Sequence, residues 1–198
     1  MDILLQQART EYTPLLDLTE PLHRAYAERH GLSYMRFDGP YAVEWTGHWD
    51  AIWLLDRLLA CAWVDRVFWL DADTLITGDE DLRAALGGRL AMCRHPGPPP
   101  HWNCGVLFLR NGPRMREWIH EIWRRGPGEW PWYQQQIMND LLAEERWNEM
   151  VERLDDRWNS TYRVTAVDEA VIRAWHGVLG PDAKLARMQA HLAEMERA

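Results

Sequence analysis

Val67-Phe68-Trp69-Leu70-Asp71-Ala72-Asp73 decides the reading of this chain. An apolar run ends abruptly in two carboxylates, two positions apart. In an extended segment, residues i and i+2 project to the same side. Asp71 and Asp73 are therefore expected to aim at one divalent cation from the C-terminal end of a buried strand. Open α/β sheets bind their ligands at that end. An Asp-x-Asp tripeptide also arises by chance and can simply cap a turn. Its position behind an apolar strand is what favours a metal.

Outward from this strand, residues 49–62 carry Ile52, Leu55, Leu59 and Ala62 at helical spacing. Residues 3–7 read as a first strand and 33–37 as a second. A helix is expected over 19–30, with Thr19 as N-cap, Pro21 in its first turn and Gly31 beyond its end. Residues 90–93 and 105–109 are further strands, separated by the proline-rich loop 95–101, which cannot be regular structure. Helices follow over 113–124 and 132–145, and a C-terminal one over 181–198. Strands alternating with helices imply an α/β fold with a mostly parallel central sheet flanked by helices. No repeat or low-complexity linker divides the chain, so residues 1–198 are expected to form a single domain.

The bulk properties narrow the function. A chain of 198 residues with 47% hydrophobic and 26% charged residues is ordinary globular material. A net charge of −8 argues against general nucleic-acid binding. No apolar run approaches a membrane span, and the N-terminus lacks the features of a signal peptide. Cys61, Cys93 and Cys104 are too few for a disulfide framework. A cytoplasmic location is therefore expected. An acidic protein that binds a phosphorylated ligand must supply positive charge locally, through a metal or a few placed cations. Lys184 is the only lysine; every other basic residue is arginine. Thirteen tryptophans are many, and some are expected to stack on ligands rather than fill the core.

No Gly-x-Gly-x-x-Gly follows the first strand, and no P-loop is present. The acidic pair stands in their place. An ion held there would neutralise a departing diphosphate as Lewis acid and template, and hard carboxylates suit Mn²⁺ or Mg²⁺. His176 is a candidate third ligand, with Gly177 behind it permitting close backbone approach. Asn103-Cys104-Gly105, at a strand entrance, offers hydrogen bonds to sugar hydroxyls, or is merely a turn. Gln134 and Gln135 open a helix, where they are either solvated or in contact with a hydroxyl-rich ligand. Cys93, His95, His101 and Cys104 raise a competing reading, a zinc-stabilised interaction module. A nucleotidyltransferase is the rival enzyme, although Gln6-Gln7-Ala8-Arg9-Thr10 is not the Gly-rich basic loop it would want.

Several segments in order resemble GT-A type glycosyltransferases, in particular the galactosyl/mannosyl transferase group of glycosyltransferase family 34. They are Tyr26 to Gly31 (a Tyr-x-x-x-His-Gly), Phe68 to Asp73, Asn103-Cys104-Gly105 with Phe108 to Asn111, Gln134-Gln135, Trp158-Asn159-Ser160 and Trp175-His176-Gly177. The resemblance implies a single GT-A (Rossmann-like) catalytic domain and a retaining transfer of a hexose or pentose. The donor would be a UDP- or GDP-linked sugar and the acceptor a hydroxyl. By the same resemblance, Asp71, Asp73 and His176 bind Mn²⁺ (or Mg²⁺) and, with it, the donor diphosphate. Asn103, Cys104 and Gly105 line the donor sugar, Gln135 lies near the anomeric carbon with Gln134 beside it, and Ala8, Arg9 and Thr10 meet the nucleoside. Gly177 and Lys184 belong to the substrate-binding set. The chain departs from the pattern in three places: Gln134 stands where an acid is usual, Asp50 near where relatives carry a basic residue, and Lys184 further behind His176 than the family's lysine. It reads as a minimal, soluble catalytic domain without the anchor of eukaryotic relatives.

Overall fold

A computed structural model describes residues 1–41, 47–126 and 133–197. The central sheet is built from β1 (Asp2–Ala8), β2 (Ser33–Asp38), β3 (Arg66–Asp71), β5 (Leu90–His95), β6 (His101–Arg110) and β7 (Val151–Arg153). A smaller sheet holds β4 (Thr74–Ile76), β8 (Ser160–Thr161) and β9 (Ile172–Ala174). The helices are α1 (Thr13–His30), α2 (His48–Leu59), α3 (Pro113–Arg125), α4 (Tyr133–Ala143), the single-turn α5 (Glu145–Asn148) and α6 (Pro181–Met195). The large sheet has the order β2-β1-β3-β6-β5-β7. All its neighbours pair in parallel except β6, which runs against both β3 and β5. The expected α/β class with a mostly parallel central sheet is what forms.

The period-2 pattern of the strands explains the layers. Ile3, Leu5, Val67, Trp69, Leu107 and Leu109 point to one side, where they pack with α2, α3 and α4. Leu4, Phe68, Leu70, Val106 and Phe108 point to the other, against Tyr26 and Ala27 of α1 and against Trp158. Strands buried on both faces read as continuous apolar runs, as Val67 to Leu70 does. Each such side chain contributes roughly 1.5–3 kcal/mol by leaving water. A third cluster joins Ala8, Leu15, Leu16, Ala72, Leu75 and Trp175 to Met188, the buried anchor of α6. It docks α6 beside the C-terminal ends of β1 and β3.

Several boundaries differ from expectation. Helix α1 begins at Thr13, with Pro14 in its first turn and Pro21 inside it. Thr19 is not a cap: it is fully buried, and its hydroxyl faces Gln6 Oε1 at 3.5 Å. The apolar Leu15 and Leu16, buried against the sheet, extend the helix past the expected start. Gly31 does end it, at φ 64°. Residues 95 and 101 are not loop: His95 and His101 are paired at the mouth of the β5–β6 hairpin, so only 96–100 form its tip. The helix expected over 132–145 stops at Ala143; its expected start at Pro131 and Trp132 lies outside the described residues. The C-terminal helix ends at Met195.

Candidate active site

Register brings the ends of β1 and β3 level, with Gln7 opposite Asp71. Asp71 is the last residue of β3; Asp73 lies in the turn before β4. The two carboxylates therefore converge through a turn, not by strand alternation as expected. The Thr74 hydroxyl donates to the Asp71 carbonyl at 2.7 Å and holds the turn, while Trp69 Nε1 donates to Asp71 Oδ1 at 3.0 Å. Strand β9 pairs with β4, and the Trp175 N–H donates to the Asp73 carbonyl at 3.0 Å. That ladder delivers the next residue, His176, to the same spot. Its Nδ1 stands 3.0 Å from Asp73 Oδ1 and 3.9 Å from Asp71 Oδ2.

One ligand atom from each of Asp71, Asp73 and His176 lies within 4.8 Å of the others. Donors on opposite sides of an octahedral Mg²⁺ are about 4.2 Å apart, so a small inward rotation suffices for this set to share an ion. The two carboxylate oxygens suit Mn²⁺ or Mg²⁺ in kind, and the imidazole is tolerated by Mn²⁺.

The hydrogen bonds behind His176 fix its orientation. The Gly105 N–H donates to the Asn103 side chain at 2.9 Å, so that acceptor is the carbonyl oxygen. Asn159 must then present its NH₂ to Asn103, at 2.8 Å, and its own Oδ1 to His176 Nε2, at 3.3 Å. Nε2 therefore carries a proton, and Nδ1 is the nitrogen turned to the two carboxylates, open to a metal when the ring is neutral. Close approach comes from Gly105: a Cβ there would lie 2.2 Å from His176 Cε1. Gly177 does not have the role its position suggested, because a Cβ there would meet nothing nearer than the Tyr162 carbonyl at 3.8 Å.

Lys184 projects from α6 to Asp73 Oδ2 at 2.5 Å, with its ammonium 5.7 Å from the centroid of the Tyr12 ring. The chain's one lysine is thus a nearly buried member of the site, not an exposed helix residue. Burial by itself would raise the Asp73 pKa; the adjacent His176 and Lys184 outweigh it and hold the carboxyl below the usual range. Burial likewise opposes the charged forms of His176 and Lys184, and Asp73 overcomes it, so both are raised.

Asp71, Asp73 and Lys184 open on a cleft of about 460 Å³, lined also by Gln7, Ala8, Arg9, Glu11, Tyr12, His48, Trp69, Tyr133 and Gln134; His176 stands behind Asp73 and does not line it. Of the three residues after the first strand, Ala8 and Arg9 line the cleft, whereas Thr10 is exposed and does not. Asp50 is fully buried and clamps Arg9, accepting from Nε at 2.6 Å and from the second guanidinium nitrogen at 3.1 Å. From α2, His48 and Ala51 reach the cleft, and the His48 ring is stacked on Tyr133 at 4.9 Å. Tyr133 holds φ 42°, a costly backbone for a bulky side chain.

Of the two glutamines, Gln134 faces this cleft. Its Oε1 is buried without a hydrogen-bond partner among the described residues, and its Nε2 lies 3.5 Å from Cys104 Sγ. Gln135 accepts from the Cys104 N–H at 2.9 Å and lines a second cleft instead. The Cys104 thiol is pushed well up by burial and stays protonated. The alternative zinc ligands are not gathered. Cys93 faces one side of the sheet and Cys104 the other, and among the described residues the only His/Cys/Asp/Glu group placed to hold a metal is Asp71, Asp73 and His176. Sequence reading missed His48, Tyr133 and the orienting role of Asn159. The unusual Trp-Asn-Ser segment flagged Asn159 without giving it a task; nothing local flagged His48.

The fold and this site define a class. No family profile matches the chain, and no curated protein sequence matches it. Solved structures do match. A glycosyltransferase involved in the glycosylation of the major capsid of PBCV-1 superposes with TM-score 0.75 at 16% identity, over 96% of this chain and 98% of that one. The glycosyltransferase GlyE of Streptococcus pneumoniae TIGR4 superposes with TM-score 0.53 at 15% identity, over 78% of this chain and 45% of that one. Its apo form gives 0.54 at 17% identity, over 79% and 46%. The chain has a glycosyltransferase fold. Among the described residues no helix is long and apolar enough to cross a membrane.

Proposed function

We propose that residues 1–198 form one catalytic domain of a metal-dependent, retaining glycosyltransferase. It moves a hexose or pentose from a UDP- or GDP-linked donor to an acceptor hydroxyl, working in the cytoplasm. The observation that carries this reading is the convergence of Asp71, Asp73 and His176 beside a cleft that the two aspartates line, on a glycosyltransferase fold. Membership of glycosyltransferase family 34 remains part of the proposal and rests on the order of the sequence motifs.

Asp71, Asp73 and His176 would hold Mn²⁺ or Mg²⁺. The ion, when bound, supplies Lewis-acid neutralisation of the departing diphosphate. The protein does the rest. Lys184 lies at hydrogen-bond distance from Asp73, poised to turn its ammonium onto a phosphate oxygen once that carboxylate is shared. Ala8 and the clamped Arg9 border the nucleoside. Asn103, Cys104 and Gly105 do not line the cleft; they would support the donor-sugar side from behind, through Asn159, His176 and Gln134. Gln134 offers its unpartnered Oε1 to a sugar hydroxyl or to the positive charge that develops at the anomeric carbon. Being an amide, Gln134 cannot form a carboxylate ester intermediate. Gln135 is held one position further on, nearer the acceptor side.

The test is incubation with UDP- and GDP-linked sugars and Mn²⁺, followed by product analysis. Release of nucleoside diphosphate supports the reading. Release of pyrophosphate would point to the rival nucleotidyltransferase, and no turnover of any donor would reject glycosyl transfer.

A further inference from the structure

We propose that the cleft beneath the β5–β6 hairpin tip binds the acceptor, and that this acceptor is a neutral saccharide. The inference rests on the glycosyl-transfer reading above and adds where the second substrate sits and what it is. The cleft holds about 470 Å³, a size typical of small-molecule sites, and lies between Pro98, Pro99, Pro100 and His101 on one side and Gln135, Gln136, Asn139 and Asp140 of α4 on the other.

Its position is what transfer requires. The acceptor oxygen must reach the donor's anomeric carbon, so the two binding surfaces must meet. Here they share a wall: consecutive residues Gln134 and Gln135 face the first and second clefts respectively, and both are held on Cys104. The ring of His101 stands 5.9 Å from that of His95, which stands 6.4 Å from that of His176. The second cleft thus begins two ring spacings from the carboxylate–imidazole cluster.

Its chemistry selects the ligand. Asn139 spends its carboxamide on the backbone, accepting from the Trp102 N–H at 2.7 Å and donating to the carbonyls of Trp102 and Gln135. It locks α4 to β6 and so shapes the wall. Gln136 Nε2 donates to Asp140 Oδ1 at 2.7 Å, which leaves the Gln136 carbonyl and the other Asp140 oxygen as acceptors for hydroxyl protons. Proline rings opposite present C–H surface to a sugar face. Among the described residues no lysine or arginine lines the cleft, so an anionic acceptor finds no such counter-charge there, and Asp140 would repel it. In the step itself, the acceptor oxygen bonds to the anomeric carbon as that carbon's bond to the diphosphate oxygen breaks. The bonding pair leaves with the nucleoside diphosphate, and the hydroxyl proton passes to that leaving group.

The test uses the full chain with Mn²⁺ and the nucleotide sugar it cleaves, on an array of neutral glycans, anionic glycans and serine- or threonine-containing peptides. Transfer is expected to neutral glycans. Gln136→Ala and Asp140→Ala, both on the exposed face of α4, are expected to lower transfer kcat/KM by about tenfold or more, the loss of a hydrogen bond to substrate. Donor hydrolysis by water and the Mn²⁺-dependent thermal shift with nucleoside diphosphate should be unchanged. Transfer confined to peptides or anionic glycans, no transfer to the array, or wild-type transfer by both variants would overturn the proposal. Absence of donor cleavage by the unchanged protein would instead overturn the glycosyl-transfer reading, and the acceptor cleft with it.

Discussion

Gly105 and His176 interlock at the residue scale. The imidazole occupies the space in which any other residue's Cβ would stand, 2.2–2.3 Å from Cε1 and Nε2. Gly105→Ala should therefore push His176 out of line with Asp71 and Asp73. Because the added methyl group is also an overpacking change, stability should fall by about 1–3 kcal/mol. Mn²⁺ titration followed by electron paramagnetic resonance should show much weakened binding in a protein that still melts cooperatively; unchanged affinity would count against the assigned ligand set. Asn159 adds a second check. Asn159→Asp would present a charged oxygen where the amide oxygen and NH₂ now stand, breaking the bond to Asn103 Oδ1. Mn²⁺ affinity should then drop without loss of far-ultraviolet circular dichroism; wild-type affinity would remove Asn159 from the orienting chain. The carboxylates and His176 were legible in sequence because they sit in short motifs. The glycine that admits His176 was legible only as a motif member, since the clash it avoids is with a residue far along the chain.

At the scale of elements, α1 is tied to the sheet by a buried polar contact. His23 Nδ1 stands 2.7 Å from Gln6 Oε1, and the Ile76 N–H donates to His23 Nε2 at 3.0 Å. Nε2 is therefore an acceptor and the ring is neutral. Burial pushes its pKa from 6.5 down to about 3. The unfolded chain thus binds a proton that the folded chain refuses between those values. The neutral ring's contribution is complete above pH 6.5 and declines as the pH falls toward 3, by up to about 1.4 kcal/mol per pH unit. Urea unfolding at pH 7 and pH 5 should show this loss, and His23→Gln should show less of it; an identical pH dependence in both would exclude His23 as the cause. Element identity was readable wherever apolar periodicity was strong, as in β3, α3 and the β6 core. The start of α1 was not, because Thr19 looks like a cap locally and is claimed instead by Gln6 across the core. The short β4, β8 and β9 carry too few residues to show a period. Yet their ladder is what delivers His176, so the least legible elements build the site.

Over the whole molecule, a sheet with apolar helix layers positions a polar rim at the C-terminal ends of β1 and β3, and α6 closes that rim with the chain's one lysine. The cores are dense in aromatics: Phe68 and Phe108 meet edge to face at 5.2 Å and are fully buried. Phe68→Ala should cost about 3–5 kcal/mol, measured as a fall in the urea midpoint; a change under about 1 kcal/mol would contradict the packing described. In a chain of net charge −8, the proposed anionic donor needs local positive charge at this rim, which Lys184 and a bound cation would supply. The α/β class was legible from alternation of strands and helices, whereas the two-cleft arrangement was not, because it depends on which of two adjacent glutamines faces which side of Cys104. On the proposed function, Asp71, Asp73 and His176 make nucleoside-diphosphate binding depend on a divalent ion, and thermal unfolding with UDP or GDP measures that dependence. At about 100 times the dissociation constant, a ligand adds roughly 2.7 kcal/mol, or about 5–10 °C for a chain of this size. That shift is expected for one of the two nucleotides with Mn²⁺, and is expected to vanish both without metal and in the Asp71→Ala, Asp73→Ala double variant; an equal shift without Mn²⁺, or in the double variant, would refute a metal-dependent site.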